Sequence, residues 1–186
     1  MLRGGIESSA AAAVLHHHQH FDGTGFPAPK PKPVPNQPVE KNAAAPQGQA
    51  IHVFARILFI ADLYANLVRP PGESIRRGNL EVLHILRTQY ADVMDPVVFK
   101  TLEAVAPPFL PGSKVVLGDQ TTAAVVAIRP QDPYVPVVRR LKADGAELDG
   151  PDVDLRHADA PPLVAIAGGT KVADFLPPKT EAVCVA

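Results

Sequence analysis

The sequence is poor in the features that would place it outside the cell or on a polyanion. It has one cysteine, Cys184, which excludes an internal disulfide framework and fits a reducing compartment. That thiol reads as a small hydrophobe rather than a reactive group. No block of lysine or arginine occurs, and the formal net charge is −1, so the chain has no electrostatic footprint for a nucleic acid polymer. Long apolar runs are also missing. The stretch after Arg3 is too short for the apolar part of a signal peptide, and the run at 51–68 is interrupted by His52, Arg56 and Asp62, which excludes a membrane span. The expectation is a soluble, cytoplasmic chain. With 186 residues and a hydrophobic fraction of 46%, there is enough to bury the core of one domain, or of one modest domain with a small appendage.

What the chain does have is concentrated near its beginning. His16, His17, His18 and His20 are four of its seven histidines, and they run directly into Asp22-Gly23-Thr24-Gly25. Neutral imidazole is the commonest side-chain ligand of transition metals, and such a cluster before a sharp turn points to metal binding. The run 10–15 is alanine-rich and helix-favouring, with Ser8 or Ser9 as N-cap, so the histidines are expected on the last turns of a helix that Asp22-Gly23 ends. On such a helix His16 and His20 share a face, while neighbouring histidines point apart and can serve two metals of a close pair. A solvated polar helix end is the alternative. A purification tag is not favoured, because Gln19 interrupts the run and it lies inside the chain.

The segment His17-His18-Gln19-His20-Phe21-Asp22-Gly23-Thr24-Gly25-Phe26-Pro27 resembles the HD-GYP signature His-His-Glu-x-x-Asp-Gly-x-Gly-Tyr-Pro, with Gln19 in place of Glu and Phe26 in place of Tyr. The resemblance implies a metal-dependent phosphodiesterase of cyclic di-GMP on an all-helical HD fold with a binuclear or trinuclear centre. A second stretch, Ala55-Arg56-Ile57 followed by Ala61-Asp62-Leu63-Tyr64, is similar to the family's Ala-Arg-Ile-x-x-x-Ala-Asp-x-Tyr helix. Asp62 shares a helical stripe with Leu58, Ala55 and Ile51, an apolar and therefore buried face, where a carboxylate needs a partner. A cation elsewhere in the chain is one such partner and a metal is the other. By the resemblance, His17, His18 and Asp62 are metal ligands, Asp22, Gly23, Gly25 and Phe26 line the nucleotide, and Arg69 contacts its phosphate. Imidazole with carboxylate favours Fe or Mn.

No His-Asp dipeptide occurs in the chain, so the resemblance covers only the second half of the domain. The expected layout is a partial HD-GYP domain over 1–109, interrupted by a proline-rich loop at 28–49, and a small β-rich extension over 110–186. The fold class expected is mainly α, a partial helical bundle with that β appendage. The proline-rich loop cannot be helix or central strand. Helices are expected at 51–68, at 79–90 with His84 and Arg87 on its surface, and from the Asp95-Pro96 cap to about 106.

Beyond Pro107-Pro108 the pattern changes to β-branched runs. Strands are expected at 115–117, 122–128, 136–141 and 163–167, with turns at Gly118-Asp119-Gln120, Asp144-Gly145 and Gly168-Gly169. The run Pro111-Gly112-Ser113-x-Val115-x-Leu117-x-Asp119 is similar to a β extension that follows HD-GYP domains. Asp149, Asp152 and Asp154, with His157 and Asp159, read as a solvated acidic turn. Three functions follow from the resemblance: a cyclic di-GMP phosphodiesterase incomplete as it stands, a non-catalytic regulatory or interaction module derived from one, or an HD phosphohydrolase of another nucleotide. The expected partners are cyclic di-GMP or a related nucleotide and a protein, including a second copy, because a half-bundle exposes an apolar face.

Overall fold

A computed structural model describes residues 7–27, 46–74, 76–142, 145 and 147–177. Among them are four α-helices, α1 (Ser8–His16), α2 (Val53–Val68), α3 (Asn79–Gln89) and α4 (Pro96–Val105), and six strands, β1 (Lys114–Leu117), β2 (Thr122–Arg129), β3 (Asp132–Leu141), β4 (Leu148–Asp154), β5 (Leu163–Ile166) and β6 (Thr170–Lys171). The chain forms two compact units, one from Met1–Arg76 with Leu86–Thr101 and one from Arg77–Ile85 with Leu102–Ala186.

The expectation of a mainly α fold is overturned. All six strands join one antiparallel sheet in the order β4-β3-β2-β1-β5-β6, so the molecule is mixed α/β. The sheet is no appendage, because it carries its own hydrophobic core. Alternation turns Val115 and Leu117 of β1 and Ala123 and Val125 of β2 to one side, where they meet Val138, Leu80 of α3, Phe109 and Val172, all at most 1% exposed. The β1–β2 turn is closed by Asp119, whose carboxylate accepts from the Thr121 N–H at 3.0 Å and its hydroxyl at 2.6 Å, leaving Gln120 at a positive φ of 65°.

Strand β4 corrects a second expectation. Its sequence, Leu148-Asp149-Gly150-Pro151-Asp152-Val153-Asp154, has the residues of a turn and few of a strand. It is an edge strand, where proline and glycine are tolerated because one row of backbone groups has no neighbour to pair with. Its carboxylates meet arginines of the sheet. Asp152 lies across from Arg139 in the register, and their side chains pair at 2.7 Å; Asp154 takes both Arg129, from β2, and Arg156. Cross-strand charge pairing therefore substitutes for the apolar alternation that identifies β1 and β2.

In the helical unit, α4 opens as expected. Asp95 accepts from the Val97 N–H at 2.8 Å and the Val98 N–H at 3.4 Å, with Pro96 at the first helical position. The Asp95 side chain is fully buried and is paired with Arg56 of α2. Arg56 also donates to the Ile51 carbonyl at 3.0 Å, so one guanidinium ties the entry of α2 to the cap of α4. The proline-rich stretch falls mostly at 28–45, outside the described residues, as do Asp144 and Cys184.

Candidate functional site

Of the four clustered histidines only His16 lies on a helix. α1 ends at His16, with His17 as its C-cap and no side-chain cap at its start. Two imidazoles bond back onto it: Nδ1 of His16 is 3.1 Å from the Ala12 carbonyl and Nδ1 of His17 is 2.7 Å from that of Val14, the second an oxygen that a helix end leaves without an intrahelical partner. The expected shared face of His16 and His20 is therefore absent. A carbonyl can only accept, so both rings donate through Nδ1, which leaves Nε2 as the nitrogen that a neutral ring offers to a ligand.

His20 donates through the same ring nitrogen, by way of a relay. The Thr24 hydroxyl donates to Asp22 Oδ1 at 2.7 Å, and the Thr24 N–H donates to the same oxygen at 2.9 Å. That hydroxyl must then accept from His20 Nδ1, 2.9 Å away. The two Thr24 donors hold the Asp22 carboxyl below the usual carboxylate range. Thr24 was not among the residues singled out from the sequence, and its place two residues after Asp22, between the glycines of a turn, is the signal that pointed to it.

The turn closes where Gly25 permits. The Phe26 N–H donates to the His18 carbonyl at 2.9 Å, and the Gly23 N–H to that of His20 at 2.9 Å. A Cβ on Gly25 would overlap the His18 carbonyl oxygen and the His20 nitrogen, both backbone, so only glycine fits. Gly23 adopts a φ of 87°. The His17 and His18 rings lie side by side, centroids 3.9 Å apart and tilted by 40°, and His20 lies 5.3 Å from the Phe59 ring. Phe26 is exposed and precedes a cis peptide to Pro27.

Asp62 departs from expectation. Ile51 and Ala55 are buried, but Leu58 is exposed and so is Asp62, because α2 buries the side that carries Ala55 and Ile60. Its carboxylate accepts from Asn66 at 3.2 Å and needs no buried partner. Arg69, the C-cap of α2, is exposed. Gln19, which stands at the glutamate position of the signature, is 1% exposed, and neither its amide oxygen nor its nitrogen has a hydrogen-bond partner among the described residues.

The donor chemistry of His17 and His18 fits a divalent ion. The ligand number does not: among the described residues no group of three or more His, Cys, Asp or Glu side chains gathers as a metal would require. No catalytic step through a metal follows from this arrangement. The second polar cluster, on the sheet, is an ion-pair network. Arg156, aided by Arg129, holds the Asp154 carboxyl down to about 2, Asp119 is lowered by Thr121 and Arg140, and the groove beside Asp152, His157 and Asp159 also holds Arg140. His84, expected at the surface, is partly buried, with its ring 5.3 Å from Phe175.

No helix among the described residues is long and apolar enough to cross a membrane. Comparison of the chain with protein-family models, with curated proteins and with solved structures found no match.

Proposed function

We propose that this chain carries part of an HD-GYP-type site, in which His17 and His18 are imidazole donors and Asp62 a carboxylate donor to Fe or Mn, with cyclic di-GMP as the nucleotide. The observation that supports it is the turn at 17–27, where the motif's glycine is required by the backbone contact at His18 and the His17 ring engages the chain through Nδ1, leaving Nε2 as its nitrogen for a ligand. Divalent ions, if bound in a complete site, would supply a hydroxide at neutral pH and neutralise phosphodiester oxygens. The chain's own contribution is positional. Gly25 lets the Phe26 N–H fix the His18 backbone, Phe26 offers an exposed ring to a base, and Arg69 an exposed guanidinium to a phosphate. Three donors fall short of a binuclear centre, so the chain does not hydrolyse cyclic di-GMP by itself, and its setting on this reading is the cytoplasm.

A non-catalytic regulatory module is the second reading, favoured by the exposed position of Asp62. Metal content of the purified chain, measured by elemental analysis with Mn or Fe added, tests the proposal alongside cyclic di-GMP binding and turnover. The expected result is bound metal that falls in both His17→Ala and His18→Ala, nucleotide binding, and no turnover. Metal content that neither substitution changes would overturn the ligand assignment, turnover by the chain alone would overturn its incompleteness, and metal without nucleotide binding would leave the regulatory module. Hydrolysis or binding of a different nucleotide would move the chain to the wider HD class.

A further inference from the structure

Helix α2 is apolar on opposite sides. Ala55 and Ile60 are buried, while Val53, Phe54, Ile57 and Leu58, which recur at one-turn spacing, are all exposed. A helix that is apolar all round is ordinarily buried all round. Beside this outer side runs a groove of about 390 Å³ between α1 and α2, lined by Ala10, Ala13, Val14, Phe54, Ile57 and Leu58. It contains no polar or charged side chain, so nothing in it selects a charged peptide or a polyanion.

Its shape and size suit a second copy. The small Ala10 and Ala13 lie next to the large Phe54, Ile57 and Leu58, so one patch presents both a hollow and a ridge, and a two-fold axis brings the ridge of each copy to the hollow of the other. Val14 is 68% exposed, Phe54 51%, and Ile57 and Leu58 45% each. With their apolar neighbours these side chains present roughly 500 Å² per copy, and a symmetric pair removes on the order of 1,000 Å², the size at which specific interfaces begin. We propose that a second copy of this chain covers the α1–α2 face through an isologous contact centred on Val14, Phe54, Ile57 and Leu58. The contact uses none of the proposed metal donors, so loss of metal binding leaves it standing and its own failure leaves the metal reading untouched.

Sedimentation of the full chain over a concentration series up to roughly 100 μM tests this, a range that detects contacts of micromolar strength. The expected species at the upper end is a dimer. Ile57→Glu, which sets a charge in the contact, is expected to raise the dimer dissociation constant by about 100-fold or more, with the circular dichroism spectrum unchanged. Val14→Ser, at the most exposed of the four positions, gives the same test by about tenfold if Ile57→Glu does not fold. A chain that stays monomeric throughout would overturn the proposal, whether the face is covered from within or by another protein. A dimer that folded variants leave intact would overturn it equally, since the contact would then lie elsewhere.

Discussion

In the sheet unit, eight apolar side chains from α3, β1, β2, β3 and the adjoining loops are at most 1% exposed and touch one another. In the helical unit, α1 buries only Ala13 and α2 only Ala55 and Ile60, while Val14, Phe54, Ile57 and Leu58 stay open to solvent. The two units thus spend similar apolar sequence differently. The sheet closes its core within itself, because alternation sends one set of residues to one face and the strands pair laterally. The helices carry apolar residues on more sides than they have neighbours to cover. The lesson is that the unit bearing the histidine turn is also the one with unfinished surface.

Paired truncations give the sharpest contrast. Phe109→Ala removes a ring that is 1% exposed and is expected to cost about 3–5 kcal/mol. Phe54→Ala, at a half-exposed ring, is expected to change monomer stability by no more than about 0.5 kcal/mol. Urea unfolding at low protein concentration checks both, and equal losses would remove the distinction between the units.

In the helical unit the Arg56–Asp95 pair is a strong internal tie, and breaking it is expected to have nearly as large an effect. Asp95→Ala removes the cap of α4 and strands Arg56, whose side chain is 12% exposed, at an expected cost of about 3–5 kcal/mol. Asp95→Asn keeps a capping oxygen and is expected to recover about 1 kcal/mol of that. If both variants unfold at the wild-type urea concentration, α4 is held by something other than this pair.

Much of this was legible in the chain, for reasons tied to particular residues. Asp95-Pro96 announced α4 because a cap and a first-turn proline act locally. Val115, Leu117, Val125 and Val138 announced their strands by branching and alternation. β4 was hidden, since Asp152 and Asp154 become strand residues only through Arg139 and Arg129, which lie 13 and 25 residues away. The exposure of Asp62 was hidden too: helical spacing identifies a stripe but not which stripe faces the core, and an apolar stripe on both sides of α2 made the wrong choice attractive. The histidine turn was half legible. Glycine at position 25 followed from the motif, whereas the end of α1 at His16, ahead of the other three histidines, did not follow from the helix-favouring alanine run before it.

A smaller effect is expected from Gly25→Ala, which forces a methyl against the backbone of His18 and His20. A loss of roughly 1–3 kcal/mol, confined to the helical unit, is expected, with metal uptake reduced in parallel. Hydrogen exchange at Phe26 and Gly23 would report it, and wild-type protection at both amides would show that the turn relaxes without cost.

The smallest effect separates the units by pH. Asp154, held at about 2 against an ordinary value of 3.8, favours the folded sheet while it is ionised. That contribution is complete above the ordinary value and is lost as pH falls from 3.8 towards about 2. Arg156→Gln removes its leading partner and is expected to move the acid midpoint of the sheet unit upward, read from the nuclear magnetic resonance signals of Tyr134 and its neighbours in β3. An unmoved midpoint would mean that solvent already screens the pair.

The sheet unit closes its core within one chain, whereas the proposed dimer is what covers the α1–α2 face. Amide hydrogen exchange of the full chain, followed by mass spectrometry at low and at high protein concentration, tests it most directly. Protection of β1, β2 and β3 is expected not to change with concentration, and protection of α1 and the first turns of α2 is expected to rise as the face is covered. Equal, concentration-independent protection in both units would contradict it.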